Sequence, residues 1–111
     1  MNAEEIKKIA MEALDDLKAR DLVALDVREL TGVTDYMLIC TGTSNRHVKA
    51  LANNVAVEVK KHGLPAMGIE GAQAADWVLV DFGDVVVHVM SAEARDFYDL
   101  ERLWSAPASA E

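Results

Sequence analysis

The stretch Asp76-Trp-Val-Leu-Val-Asp-Phe-Gly-Asp-Val-Val-Val-His-Val-Met90 constrains the fold most, because it reads as two apolar strands joined by a tight turn. Both faces of that hairpin are apolar, so both need cover. A chain of 111 residues with 51% hydrophobic content supports one domain with one core. Covering both sides of the hairpin exceeds what a domain of that size supplies. The large residues of the second face, Trp77 above all, therefore predict a surface built to be covered by something else.

With Asp81-Phe-Gly-Asp84 as the turn, in a two-residue or four-residue loop, Val80 faces Val85, Trp77 faces His88 and Leu79 faces Val86. A three-residue loop would shift this register. Val78, Val80, Val85 and Val87 then share the face packed under helices. Trp77, Leu79, His88 and Met90 mix bulk with polarity and form the partner side. Trp77 has a second reading, in which it packs against a C-terminal helix carrying Phe97, Tyr98 and Trp104. Trp104 itself reads as structural.

The rest of the chain supplies helices and further strands. Asn2 followed by Glu5 resembles a capping box, and Ile6, Ile9, Ala10, Ala13 and Leu17 recur on one face of a helix over roughly residues 3 to 18. Leu22 to Val27 and Asp35 to Thr41 read as a pair of core strands. Gly42-Thr43-Ser44 supplies capping hydroxyls for a helix with Val48, Leu51, Ala52, Val55 and Val59 on its apolar face. That helix ends at Lys60, Lys61 and His62, with Gly63 suited to the left-handed conformation and Pro65 forbidding continuation. Pro65 to Glu70 reads as another short strand, Gly71 to Ala75 as a joint, and Ser91 to Trp104 as a helix with Phe97, Leu100, Leu103 and Trp104 along one side. The order αββαβββα predicts a single α/β domain over residues 1–104, with a mixed sheet of about five strands and helices mainly on one face. Residues 105–111 read as a flexible tail.

Charge narrows the partners. Nineteen acidic residues against 11 basic give a net charge of −8, which repels phosphates and removes counterion release as a drive toward DNA or RNA. A basic protein is favoured instead. The single Cys40 sits in an apolar run and reads as a buried small hydrophobe suited to a reducing compartment. The N-terminus lacks a secretory pattern and no apolar run reaches membrane-spanning length, so a cytoplasmic protein without membrane contact is expected.

Chemistry-bearing patterns are weak. His88 beside Asp76, Asp81 and Asp84 could be drawn as a metal or general-base cluster, but aspartates flanking a turn satisfy local backbone groups. Ser44 and His47 with an aspartate could be drawn as a nucleophilic triad, yet a capping role explains Ser44. Gly42 to Ser44 between strand and helix could also bind an anion, and a nucleotidyltransferase-like enzyme built on that turn is the alternative reading. The full phosphate-loop pattern with its lysine is absent.

Taken in order, Leu25-Asp-Val27, Thr34-Asp35, Cys40-Thr-Gly-Thr-Ser44 with Arg46-His47-Val48, Glu70-Gly71, Asp76-Trp77, Asp81-Phe-Gly-Asp84, His88-Val-Met90 and Tyr98-Asp-Leu-Glu-Arg-Leu-Trp104 form one pattern. It resembles the Iojap family of bacterial ribosomal silencing factors over roughly residues 5 to 104. The resemblance implies a cytoplasmic factor that binds the large ribosomal subunit on its ribosomal protein fourteen, where the small subunit would dock, and lowers translation when nutrients are short. It also implies a nucleotidyltransferase-like α/β shape, homodimers when free, and neither catalysis nor a cofactor. By the same resemblance Trp77 contacts the ribosomal protein, with Asp76 and Leu79 beside it. Glu70, His88 and Met90 join the expected partner-binding set from the hairpin register.

Overall fold

The computed structural model describes residues 1–105, with side chains through residue 102. Nine elements follow in order: α1 (Ala3–Asp16), β1 (Arg20–Asp26), β2 (Tyr36–Gly42), α2 (Asn45–Lys61), β3 (Gly68–Glu70), β4 (Trp77–Asp81), β5 (Val85–Ser91), α3 (Ala92–Tyr98) and α4 (Leu100–Ser105). The five strands form one mixed sheet in the order β1-β2-β5-β4-β3. Only β2 and β5 run parallel; the other neighbours are antiparallel. The expected α/β class, strand number and element order are all present. Of the tail expected over 105–111, Ser105 closes α4 and the remainder lies outside the described residues.

The long helices start where the sequence places their caps. Asn2 and Glu5 form the full reciprocal capping box, and Ser44 accepts from the His47 amide, each satisfying backbone donors at a helix start. Such a cap is worth about 1 kcal/mol. The predicted face of α2, namely Val48, Leu51, Ala52, Val55 and Val59, is buried in full. Along α1 the buried set is Ile6, Ala10, Ala13 and Leu14, so Leu14 replaces the expected Leu17, which is 37% exposed past the helix end. Tyr36 ties α1 to the sheet: its hydroxyl donates to Glu4 and the Lys7 ammonium lies 4.4 Å above its ring.

The hairpin pairs Trp77 with Met90, Leu79 with His88, Val80 with Val87 and Asp81 with Val86. This is two residues away from the expected register. The cause is the turn: Phe82, Gly83 and Asp84 separate the strands, with the Phe82 amide donating to the Val85 carbonyl and the Gly83 amide donating to the Asp81 carboxylate. Because a slide of two residues preserves the pleat, the division of side chains between faces stands. Val78, Val80, Val85, Val87 and Val89 join Tyr36, Leu38 and Cys40 under α1 and α2.

Two expectations fail here. The strand Arg20–Asp26 is an edge strand with largely exposed side chains, since only one neighbour flanks it; β2 alone of that pair is buried throughout. More importantly, the second face is not left wholly to a partner. Val27, Met37, Ile39 and Met90 are buried against Ala94 of α3 and Leu100 of α4, so the chain folds its own C-terminal helices over that side. The helix expected over Ser91 to Trp104 is broken at Asp99, which adopts φ +49°, and this bend lets the two short pieces follow the sheet.

Cys40 has no exposed surface, and burial pushes its thiol up to about 12. Thiolate is the reactive form, so the native protein should resist a thiol-modifying reagent at pH 8. Labelling should rise with denaturant in step with loss of helical circular dichroism. Rapid labelling of the folded protein would overturn this account of the core.

Candidate docking surface

The segment leading into β4 is fixed by Gly71. It adopts φ +85°, and a Cβ there would lie 2.2 Å from the Trp77 carbonyl oxygen, so only glycine allows the chain to pass this close. The Ala75 amide donates to the Gly71 carbonyl and the Ser91 amide to the Asp76 carbonyl, which set Asp76 and Trp77 at the sheet's end beside the start of α3.

Trp77 is half-buried, and its surroundings are its own chain. The indole Nε1–H donates to Nδ1 of His88 at 2.9 Å, and the ring lies 4.7 Å from that of Tyr98 at a 47° tilt. Phe97 meets Tyr98 edge-on at 5.0 Å. The packing reading of Trp77 is met in part: one side lies on α3, and the rest remains open. A cleft of about 370 Å³ opens beside it, walled by Trp77, Phe97 and Tyr98 and edged by Asp76 and Glu93.

The expected contact residues separate into two layers. Asp76 and Glu70 are exposed and Leu79 is half-buried, so these stand with Trp77 at the surface. Glu70 pairs with Leu79, and Leu79 with His88, so the three share one row across the sheet. His88 is only 5% exposed and Met90 has no exposed surface, because α3 and α4 cover that part of the face. They stand behind the surface rather than on it. Burial lowers the His88 pKa to about 4, which keeps the imidazole neutral, and the indole N–H bond selects the tautomer with Nδ1 as acceptor.

Sequence reasoning missed Phe97 and Tyr98, which are 79% and 50% exposed. It placed Phe97 along one side of a continuous helix with Leu100, Leu103 and Trp104. The missed signal is Asp99, a short polar residue that tolerates the left-handed conformation and competes for backbone hydrogen bonds. Arg95 then secures the bend, with a paired contact to the Glu101 carboxylate and its other nitrogen donating to the Thr41 hydroxyl at 2.9 Å. That guanidinium holds the Glu101 carboxyl below its ordinary range.

The turn at Gly42 makes several local contacts and lines an open cleft of about 420 Å³ that Asp21 and Glu93 also border. A Cβ on Gly42 would meet Val48 at 2.7 Å, so glycine is required by the close passage of β2 under α2. Nδ1 of His47 accepts from the Thr43 amide while Nε2 faces the Leu17 carbonyl, and Ser44 caps the helix. Asp81 and Asp84 lie at the opposite end of β5, a strand of seven residues that spans about 20 Å. They cannot meet a ligand at Gly42, so the enzyme arrangement considered for that turn is not formed. Among the described residues, no three of His, Cys, Asp or Glu gather as a metal site would require. No helix among them is long and apolar enough to cross a membrane.

Comparison with known proteins adds three findings. The family model described as "Ribosomal silencing factor during starvation" matches residues 1–111. A ribosomal silencing factor of Chromobacterium violaceum is 52% identical over 94% of the chain and 85% of its own length, and a crystal structure of a protein from that organism superposes with a TM-score of 0.92 at 52% identity, covering 94% of this chain and 87% of that one. A mouse protein named for mitochondrial assembly of the ribosomal large subunit is 42% identical over 78% of the chain and 40% of its own length.

The buried His88 makes stability depend on pH. Its folded pKa of about 4 lies below the ordinary value of 6.5, so below pH 6.5 the unfolded chain binds the extra proton and stability falls as pH drops toward 4. Between pH 7.5 and 5 this group should remove about 2 kcal/mol. Urea denaturation of the wild type and of His88→Leu at both values measures it. An equal pH difference in the two proteins would show that His88 is not its source.

Proposed function

The chain belongs to the ribosomal silencing factor family, and from that premise we propose that it represses translation by binding the large ribosomal subunit through its ribosomal protein fourteen. In this reading it sterically blocks joining of the small subunit under nutrient limitation. It acts in the cytoplasm by occupying a surface, makes and breaks no bond, and needs no cofactor. When free it forms a homodimer.

One observation carries the reading: the strip of sheet around Trp77 and Leu79 that α3 and α4 leave uncovered, continuous with the exposed Phe97 and Tyr98. Large apolar side chains exposed together mark an interaction surface. Aromatic anchors of this kind concentrate binding energy, and a half-buried tryptophan held by its neighbours loses little freedom on docking. Charge supports the choice of partner. A protein of net charge −8 approaching an RNA-rich particle is repelled except where basic protein is exposed. Asp76 and Glu70 stand at the rim of the strip, where such charges steer encounter.

The test is co-sedimentation with purified large subunits. Trp77→Ala should leave a cooperative thermal transition and weaken binding at least tenfold, since truncating an anchor costs about 2 kcal/mol or more. Wild-type binding by the folded variant would remove Trp77 as the anchor. A pull-down with purified ribosomal protein fourteen separates that partner from the rest of the subunit.

A further inference from the structure

The cleft beside Trp77 has a chemistry more specific than an apolar patch. Its walls are the rings of Trp77, Tyr98 and Phe97, and its rim carries the carboxylates of Asp76 and Glu93. No lysine or arginine lines it. The nearest guanidinium on the same helix, that of Arg95, is 11% exposed and committed to Glu101 and Thr41. Among the described residues neither rim carboxylate has an ion-pair partner. Phe97 stands 79% in water although Leu100, three residues on, is buried, so its exposure gains the fold nothing.

Aromatic faces and unpaired carboxylates select the same kind of guest. A ring face attracts a cation and favours the flat, weakly hydrated guanidinium, which can also place two N–H groups on one carboxylate. An ammonium keeps its water more tightly and lacks the plane. A phosphate would be repelled by both carboxylates, and a purely apolar guest would leave them facing it unpaired. Resting on the docking reading above, we propose that this cleft receives an arginine side chain of the basic protein partner, stacked between Trp77 and Phe97 and bonded to Glu93 or Asp76. Trp77 is already oriented for this, since its indole N–H is bound to His88 and its ring rests against Tyr98 at a 47° tilt.

The experiment uses the full chain and two probes. N-acetyl-arginine amide is titrated against ¹⁵N-labelled protein, and the neutral N-acetyl-citrulline amide serves as its isostere. The Trp77 indole resonance should move saturably with arginine and at least threefold more weakly with citrulline, and Glu93→Gln or Phe97→Ala should each weaken arginine binding at least fivefold. Both side chains are exposed, so these variants should keep the wild-type spectrum elsewhere. Equal response to arginine and citrulline, or none to either, overturns the proposal. Co-sedimentation of the double variant with large subunits should fall at least fivefold. If wild type and double variant sediment alike, the cleft is not where the partner docks and the proposal fails while the docking reading stands. If arginine binds as expected but wild type does not sediment, the docking reading fails and the arginine specificity of the cleft stands.

Discussion

The need to cover both faces of the parallel pair β2 and β5 governs the rest of the structure. Every side chain of β2 is buried, and β5 contributes Val85, Val87 and Val89 to one side and His88 and Met90 to the other. Parallel pairs are stable only when both faces are shielded from water. The long helices α1 and α2 settle the first face by conventional packing, with β-branched residues beneath amphipathic helices. On the second face the described residues place two short helices, of seven and six residues. These cover Val27, Met37, Ile39 and Met90, with Leu25 and Trp77 packed partly against that cluster, and leave Leu79 half-buried beyond it.

Covering that face also calls for the bend at Asp99. A straight helix leaving Ser91 would run off the sheet, and a residue at φ +49° redirects it so that Leu100 enters the second cluster. Redirecting the chain turns Phe97 and Tyr98 outward beside Trp77. The left-handed conformation costs about 1 to 2 kcal/mol for most residues and less for aspartate. Arg95 offsets that cost by joining both sides of the bend, through Glu101, to Thr41 at the end of β2. The aromatic surface and the cover of the core are thus products of one turn.

Much of this was legible in the sequence because it rests on local rules. Asn2 and Glu5, Ser44 and the five apolar residues of α2 fell where capping and helical period put them. The hairpin's faces were legible although its register was not, since alternation fixes the face of a side chain whereas the register depends on the geometry of Phe82, Gly83 and Asp84. The edge position of β1 was not legible, because strand order is decided by contacts far apart in sequence. Phe97 was misread for a related reason. Helical spacing extrapolates along a continuous helix, and one aspartate in a left-handed conformation ends the extrapolation.

Trp77, proposed here as a docking residue, also serves the fold. Part of its ring and its N–H are satisfied inside the molecule, by Tyr98 and by a histidine that burial keeps neutral, while the remaining ring surface is open. A side chain held in this way has already lost its rotamer freedom on folding. Binding then spends little further entropy on it, and affinity rests on the contacts themselves. The same arrangement makes His88 a supporting residue that fixes the indole, and under the docking proposal it acts on a partner only through that ring. Met90, fully buried beneath α3, acts one step further back by keeping the floor of the surface in place. The row from Glu70 through Leu79 to His88 therefore grades from solvent to core across three strands, and only its outer members can meet another molecule.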